Sequence, residues 1–408
     1  MRVGEFNKKK EDLHTNKSFV FLNVLLKIFG LKCYVHRNAS KLFLTRLLLT
    51  IIILGALLIF NLHYKATNLN NILNISVKIT DTVQSVYDYF QYIIDLFYVY
   101  KYGGLVYCEY FKQYDTIDGI IGKGNYKLTI NRRLSKLSGI FVAFWLTSST
   151  CDFVAWALSF GWKTPMVYST AYLYLLIRMV TTLDIISHIL QIQCRMSMIY
   201  EIVHVNYVSA DNLPGTICDS VENKNWFYGK NNMHEADSNK IRPVCIRDKN
   251  LSRCYLILTE QCSYINQMFG VRVLLNTFSS FIDMVRFTNL TVRMIVGSQH
   301  IQYNTVYFPI ASTISRMLTC AIIFISLVLH CENAYRQNEK IILIIDHLFI
   351  NKNPGPELRA SMSELRDLVR SRPVNFHLAN FFRLDYTLLI STASVVTTYS
   401  IILLQSIN

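Results

Sequence analysis

From Leu47 to Phe60 the chain runs for one long helical stretch without a charged residue, and the apolar character extends from Leu42 to Leu62 with Arg46 near one end. A helix of about 20 apolar residues must be covered on all sides, by a large protein core or by the hydrocarbon of a bilayer. Arg46 lies close enough to its end to snorkel to the interface. Composition decides in favour of the bilayer. Charged residues are 17% and apolar residues 52% of the 408, with 41 Lys and Arg against 27 Asp and Glu; soluble domains carry about 25% charged residues. Disorder is excluded by this apolar content. The ten cysteines are too sparse and irregular for a disulfide scaffold. A chain both basic and apolar fits a membrane protein whose positive charge is collected on one side, rather than a nucleic-acid binder.

Further spans follow at Ser138 to Phe160, Met166 to Leu190, Val271 to Val296 and Tyr307 to His330. Ile72 to Tyr100 contains Lys78, Asp81, Asp88 and Asp95, costly against lipid, but its tyrosines and isoleucines recur at helical spacing. It is expected to span with a side turned into the bundle. Leu384 to Gln405, uncharged after Asp385, is the seventh span.

Lys and Arg then orient the bundle. Nine precede the first span, seven follow the second and seven follow the sixth between Arg336 and Arg372, whereas the alternate loops hold only Lys65 and Lys163. The N-terminus is therefore expected in the cytosol and the C-terminus outside, with very short outer loops. Any signal must be received within the helix bundle. Phe19 to Leu31 lacks a cleavage pattern and reads as an amphipathic helix on the inner surface rather than a secretory signal.

The expected organisation is a cytosolic segment over 1–41, six spans over 42–330, cytosolic helices over 331–383 and a seventh span over 384–408. Within it, 191–270 is a long cytosolic loop with helix extensions, whose Asn-rich part, 206–250, reads as disordered. Ile341 to Phe349 carry the sixth helix past the membrane, and Pro356 opens another with Leu358, Met362, Leu365 and Val369 on one stripe. Such stripes need cover, from the chain's own helices or from another subunit.

Catalytic signatures are lacking. His234-Glu235 has no second His at zincin spacing, and Gly119, Gly122 and Gly124 do not have the order of a phosphate-binding loop. Cys218, Cys245, Cys254 and Cys262 lack the paired spacing of a zinc site and read as reduced thiols. Sequons at Asn16, Asn38 and Asn250 fall on the cytosolic side, and those at Asn74 and Asn289 lie at or within spans. No enzyme activity, cofactor, metal or nucleic-acid partner is expected.

Charges inside the membrane point to function or to one another. Asp283 and Arg286 stand three apart on one helix and can pair, and Arg178 can match Asp184 across helices. Asp152 lies in the outer half of the third span with Trp156 one turn on. Tyr168, Tyr172 and Tyr174 begin the fourth span, and Tyr307, Ser312 and Ser315 the sixth. These convergent aromatic and polar groups suit a small organic ligand, or else bundle packing and interface anchoring.

The last helix bears hydroxyls at Ser391, Thr392, Ser394, Thr397, Thr398 and Ser400, then Gln405. Ser391, Ser394 or Thr398, Ile401 or Ile402, and Gln405 share a face. The face can bond neighbouring helices or line water. Several copies around an axis would form polar rings closed by aliphatic constrictions, as in a dewetting gate.

Thr398-Tyr399-Ser400-Ile401-Ile402-Leu403-Leu404-Gln405 resembles the Thr-Tyr, five mostly apolar residues, Gln signature that closes the last helix of insect gustatory receptors. The approach from Phe381-Phe382-Arg383-Leu384-Asp385 to Leu388-Leu389 is similar too. The resemblance implies an all-α channel of four subunits, homomeric or mixed with related receptors, in the plasma membrane of sensory neurons. A small-molecule tastant would bind in the outer half of the bundle, around Asp152, Trp156, Tyr168, Tyr172, Tyr307 and Ser312. The last helix would line one cation pore, with Gln405 as the gate residue and Ser394, Thr398, Tyr399, Ile402 and Ser406 beside it, and the cytosolic helices would form the anchor between subunits. Ser406 departs from the Phe usual after the Gln, and Ile407 is its candidate substitute. Ser400 departs from the Glu that sugar receptors tend to carry after Thr-Tyr, which favours a bitter or other non-sugar ligand over a sugar. A G-protein-coupled receptor is the alternative with the same helix number. It would require the opposite orientation, and it would be expected to show Asp-Arg-Tyr and Asn-Pro-x-x-Tyr patterns, which this sequence lacks. A transporter would show internal repeats and broken helices, and neither is visible.

Overall fold

The computed structural model describes residues 20–32, 41–68, 75–103, 105–121, 126–209, 249–296 and 307–405. These form ten helices and one short hairpin: α1 (Val20–Ile28), α2 (Lys41–Asn68), α3 (Ile75–Tyr102), α4 (Leu105–Ile121), α5 (Tyr126–Phe160), α6 (Lys163–Ser209), α7 (Lys249–Val296), α8 (Tyr307–Asn351), α9 (Pro356–Ser371), β1 (His377–Leu378), β2 (Phe382–Arg383) and α10 (Tyr386–Gln405). Helices α2, α5, α6, α7 and α8 are each long and apolar enough to cross a membrane. With the charged α3 and the shorter α10 they complete the expected seven.

The most apolar span is the least buried. The most apolar span, in α2, is only 11% buried within the chain, whereas 83% of the corresponding stretch of α6 is buried. Leu48, Leu49, Ile52, Ile59 and Phe60 of α2 face outward, as lipid-facing side chains do. Helix α6 is central and touches α2, α3, α5, α7 and α8. Polar residues on α6 are tolerated because protein groups, not lipid, surround them.

The turn from α5 to α6 consists of Gly161 and Trp162 alone. Gly161 has φ +78° and donates its N–H to the Ala157 carbonyl at 2.9 Å, a left-handed helix stop that favours glycine. This is the short loop predicted for the end of the bundle opposite the basic one.

At the basic end, α6, α7 and α8 run well beyond their predicted spans. Helix α6 continues through Ser209 and α7 begins at Lys249, so only 210–248 of the expected Asn-rich insertion lies outside the described residues. Met362, Leu365 and Val369 of α9 are fully buried, and α9 packs against α7 and α8. The apolar stripe predicted there is thus covered by the chain's own helices. Asp346 of α8 further holds Arg370 at 2.7 Å and Arg366 at 3.5 Å. Leu343 and Ile350 remain exposed on the same extension.

Helix α4 is an element beyond the predicted spans. Asp118 accepts two hydrogen bonds from Arg195 of α6, at 3.0 and 3.2 Å. The Arg195 guanidinium sits 3.9 Å from the centre of the Tyr114 ring. Tyr114 bonds Tyr110 at 2.5 Å, which reaches His188 Nδ1 at 3.0 Å. Burial raises the Tyr114 phenol to about 12, so it stays protonated.

Between α9 and α10 the chain makes a tight hairpin pairing Leu378 with Phe382 and His377 with Arg383. Ala379 and Asn380 both take positive φ. Gly270 of α7 lets this backbone approach: a Cβ there would lie 3.1 Å from the Ala379 nitrogen and 3.2 Å from the His377 oxygen. Asn266, one turn earlier, donates to the Asn375 carbonyl at 2.8 Å and accepts from the His377 N–H at 3.1 Å. Asp385 then caps α10, its carboxylate accepting from the Leu388 N–H at 3.2 Å.

Candidate functional site

Two polar regions lie within the spans. One is enclosed by the bundle near the end opposite the basic one, and the other is the face of α10.

Asp152 is the centre of the first. Its Oδ2 accepts from the Tyr172 hydroxyl at 2.8 Å and pairs with Arg316 Nη1 at 2.8 Å. Its Oδ1 accepts from Trp156 Nε1 at 3.2 Å and from Ser312 at 3.3 Å. Side chains from α5, α6 and α8 therefore meet at one carboxylate. The Arg316 guanidinium lies between two aromatic rings, 4.7 Å from the centre of Tyr172 and 5.0 Å from that of Phe287. Trp156 stacks on Tyr168 at 5.5 Å.

Tyr168 connects this group to a second carboxylate. Its hydroxyl donates to Asp81 at 3.3 Å, and Asp81 also pairs with Lys65 at 2.6 Å and Arg286 at 2.7 Å. Two acidic groups, each neutralised by cations, thus flank one stacked aromatic pair. One buried donor of the cluster, Arg316 Nε, has no partner among the described residues. The cluster keeps hydrogen-bonding capacity that the chain does not use.

Five of the six residues proposed for a ligand from sequence, Asp152, Trp156, Tyr168, Tyr172 and Ser312, are brought together here. Tyr307 is not, being 87% exposed at the start of α8. Arg316, Lys65 and Asp81 belong to the group but were not in the sequence-derived set. Arg316 lies one turn beyond Ser312 on the same helix face, and that spacing was the available signal.

Below this cluster, α3 and α7 form a polar ladder. Asp81, Asp88 and Asp95 recur every seven residues on α3, opposite Arg286, Ser279 and Arg272, which recur every seven residues in reverse on α7. The antiparallel pairs are Asp81–Arg286 at 2.7 Å, Asp88–Ser279 at 2.8 Å and Asp95–Arg272 at 3.2 Å, with Gln91 bonded to Asn276 between the last two. The middle rung lacks a cation of its own. Arg178 of α6 supplies it, 2.7 Å from Asp283 and 3.6 Å from Asp88. This corrects the expected Arg178–Asp184 match: both residues are on α6, and Asp184 instead faces His188 at 3.9 Å. The expected Asp283–Arg286 contact is present at 3.4 Å as one link of the network.

The α10 face is arranged differently. Most of the helix surface is exposed: Ser391, Ser394, Thr398, Ile402 and Gln405 form one outward row, Ile390, Val395, Thr397 and Ile401 are exposed beside it, and Leu388, Leu389, Thr392, Val396 and Ser400 are half-buried toward the bundle. The hydroxyls of Thr392, Thr397, Thr398 and Ser400 donate to carbonyls four residues back, at 2.7 to 2.9 Å. They satisfy their protons within the helix, and the hydroxyl row does not serve to bind α10 to the bundle. Tyr399, on the flank, sets its ring edge-on to Phe281 of α7 at 6.3 Å. Ser406 and Ile407 lie outside the described residues.

A bundle of seven crossings, with a polar cluster enclosed at one end and a last helix whose outer surface mixes hydroxyl and aliphatic side chains, defines a multi-pass membrane protein. The chain belongs to the 7tm chemosensory receptor family, whose sequence model matches residues 20–407. Among solved structures it is similar to the olfactory receptor OR5 of the insect Machilis hrabei. The complex with eugenol superposes with a TM-score of 0.57 at 12% identity, covering 97% of this chain and 99% of that one. The same receptor in a second structure gives a TM-score of 0.56, also at 12% identity and with the same coverage. At that identity the likeness concerns the fold. No curated protein matches the sequence.

Proposed function

We propose that the protein is a gustatory receptor that acts as a ligand-gated cation channel, opened by a small organic tastant of bitter or other non-sugar type. The observation that carries this reading is the α10 face: a membrane helix whose row of Ser391, Ser394, Thr398, Ile402 and Gln405 is turned away from its own bundle. The Gln405 amide is costly against lipid, and the hydroxyls along the same row are readily solvated by water, so copies of α10 around an axis would line a pore. Gln405 is assigned to the gate, with Ile402 as the aliphatic constriction beside it and Tyr399 positioning the helix on α7. The tastant is assigned to the Asp152, Trp156, Tyr168, Tyr172 and Ser312 cluster; eugenol bound to the olfactory receptor of the same fold supports a small organic ligand.

In this reading the basic end is cytosolic and four subunits meet through the helix extensions, where exposed Leu343 and Ile350 would gain cover. The plasma membrane of a sensory neuron is the proposed location, and the tetramer is homomeric or shared with related receptors. Recording from excised patches without nucleotides during tastant application tests the proposal. Ligand-evoked cation current is expected; responses confined to intact cells and dependent on GTP would replace it with G-protein coupling.

A further inference from the structure

Lys65 stands near the end of α2, and its ammonium lies among the side chains of two other helices. It makes a 2.6 Å ion pair with Asp81, donates to the Ser85 hydroxyl at 3.2 Å and sits 4.6 Å from the centre of the Tyr168 ring. A carboxylate, a hydroxyl and an aromatic face around one point are the recognition elements of an alkylammonium ion. Asp81 is itself held by Arg286 at 2.7 Å, and Tyr168 by its stack on Trp156. The receiving groups are therefore fixed independently of the lysine.

Lysine is the most replaceable member. It hangs on a flexible stem from α2, the least buried of the long apolar spans, and the next residues, Ala66 and Thr67, are exposed. A lysine in such a place can withdraw its head to the interface while the stem stays on apolar surface. Removing it leaves Asp81 with Arg286 still in place, so the carboxylate keeps a partner.

We propose that this is an organic-ammonium site in which Lys65 is the resident occupant, and that the receptor's ligands include primary alkylamines, which bind as ammonium ions by displacing the Lys65 head from Asp81 and the Tyr168 ring. The inference rests on assigning the tastant to the same enclosed cluster, and it adds a charge class to that ligand. It also names Lys65 as a competitor that sets affinity.

The test uses the full chain in lipid nanodiscs and reads binding through thermal stability, so that it does not depend on channel current. The probe is n-butylammonium, with n-butanol as the neutral match of equal chain length. In Lys65→Met, n-butylammonium should raise the melting temperature saturably, with a half-saturating concentration about tenfold lower than for the unsubstituted chain, and n-butanol should not. Lys65→Gln is the second variant should the methionine form aggregate. Adding Tyr168→Leu to either should remove the gain. Equal responses to amine and alcohol, or an amine response unchanged by Lys65 replacement, would overturn the proposal. Amine binding without any evoked current would instead count against the channel reading and leave this site standing.

Discussion

Helices α3 and α10 both carry regularly spaced polar residues through a membrane span, and the structure uses the two rows in opposite ways. On α3, Asp81, Asp88 and Asp95 are all buried and each meets a partner on α7, with Arg178 completing the middle rung from α6. On α10, Ser391, Ser394, Thr398 and Gln405 are exposed, and the Thr398 proton is given to its own helix. A carboxylate within the hydrocarbon cannot be left unpaired, whereas a back-bonded hydroxyl costs little at a surface. The α3 row is thus bound to the interior of one subunit. The α10 row is free to face water in an assembly.

Breaking the ladder should have the largest effect. Replacing Arg178 with Ala leaves Asp88 and Asp283 buried near each other without the cation they share. Removing one member of a buried ionic group costs about 3–5 kcal/mol. Expression at the cell surface and the melting temperature in detergent should both fall sharply. If Arg178→Ala folded and melted like the parent, the ladder would not be what holds α3, α6 and α7 together.

Next in size is Gly270→Ala, which probes the junction between the two kinds of helix. The added methyl would stand 3.1 Å from the Ala379 nitrogen, so the hairpin leading into α10 must move. Overpacking of this sort costs about 1–3 kcal/mol. The expected result is a lowered melting temperature together with an altered basal current, since α10 begins from the displaced hairpin.

The ladder and the α10 face differed in how far the sequence revealed them. Uncharged runs located α2, and the scarcity of Lys and Arg pointed to short loops at the opposite end, although the glycine stop at Gly161 emerged only with its φ. The position of α3 as a span could be inferred from period alone, and its seven-residue repeat of aspartates was visible. Their partners were not, because matching Asp95 to Arg272 requires knowing that α3 and α7 run antiparallel in contact, and that is a tertiary fact. Arg178 was misassigned for the same reason: Asp184 is near in sequence, Asp283 only in space. The group around Asp152 was legible where aromatic and hydroxyl residues crowded together. Lys65 and Arg316 were missed: Lys65, near a span end, reads as an interface anchor until its carboxylate is located, and Arg316, inside the sixth span, has a partner that only the helix packing reveals. The hairpin at 377–383 was invisible, for two-residue strands carry no period.

Asp152→Asn keeps the shape of the cluster but removes the counter-charge of the buried Arg316, so its effect falls on ligand recognition as well as on stability. The asparagine has a single acceptor oxygen and keeps the hydrogen bond from either Tyr172 or Ser312 but not both, so some loss of assembled protein is expected and responses are compared at matched surface expression. Tastant dose-response curves should shift at least several-fold while the unliganded current stays near the parent value. A shift in basal current with unchanged ligand sensitivity would move Asp152 from recognition to support of the bundle.

The smallest change in stability belongs to α10 and gives the sharpest contrast. Gln405 is exposed at the end of that helix, so Gln405→Ala should alter melting by no more than about 0.5 kcal/mol, the range of ordinary surface substitutions. Its consequence should appear only in the current. An amide ring at a constriction holds water, and an alanine ring does not, so opening probability or basal leak should change at matched surface expression. The pairing of a large functional change with an unchanged fold is what separates a face made for water from one made for the bundle. A variant with parental currents across a full dose series would remove Gln405 from the gate and turn the α10 face into a lipid-exposed surface of a receptor that signals by other means.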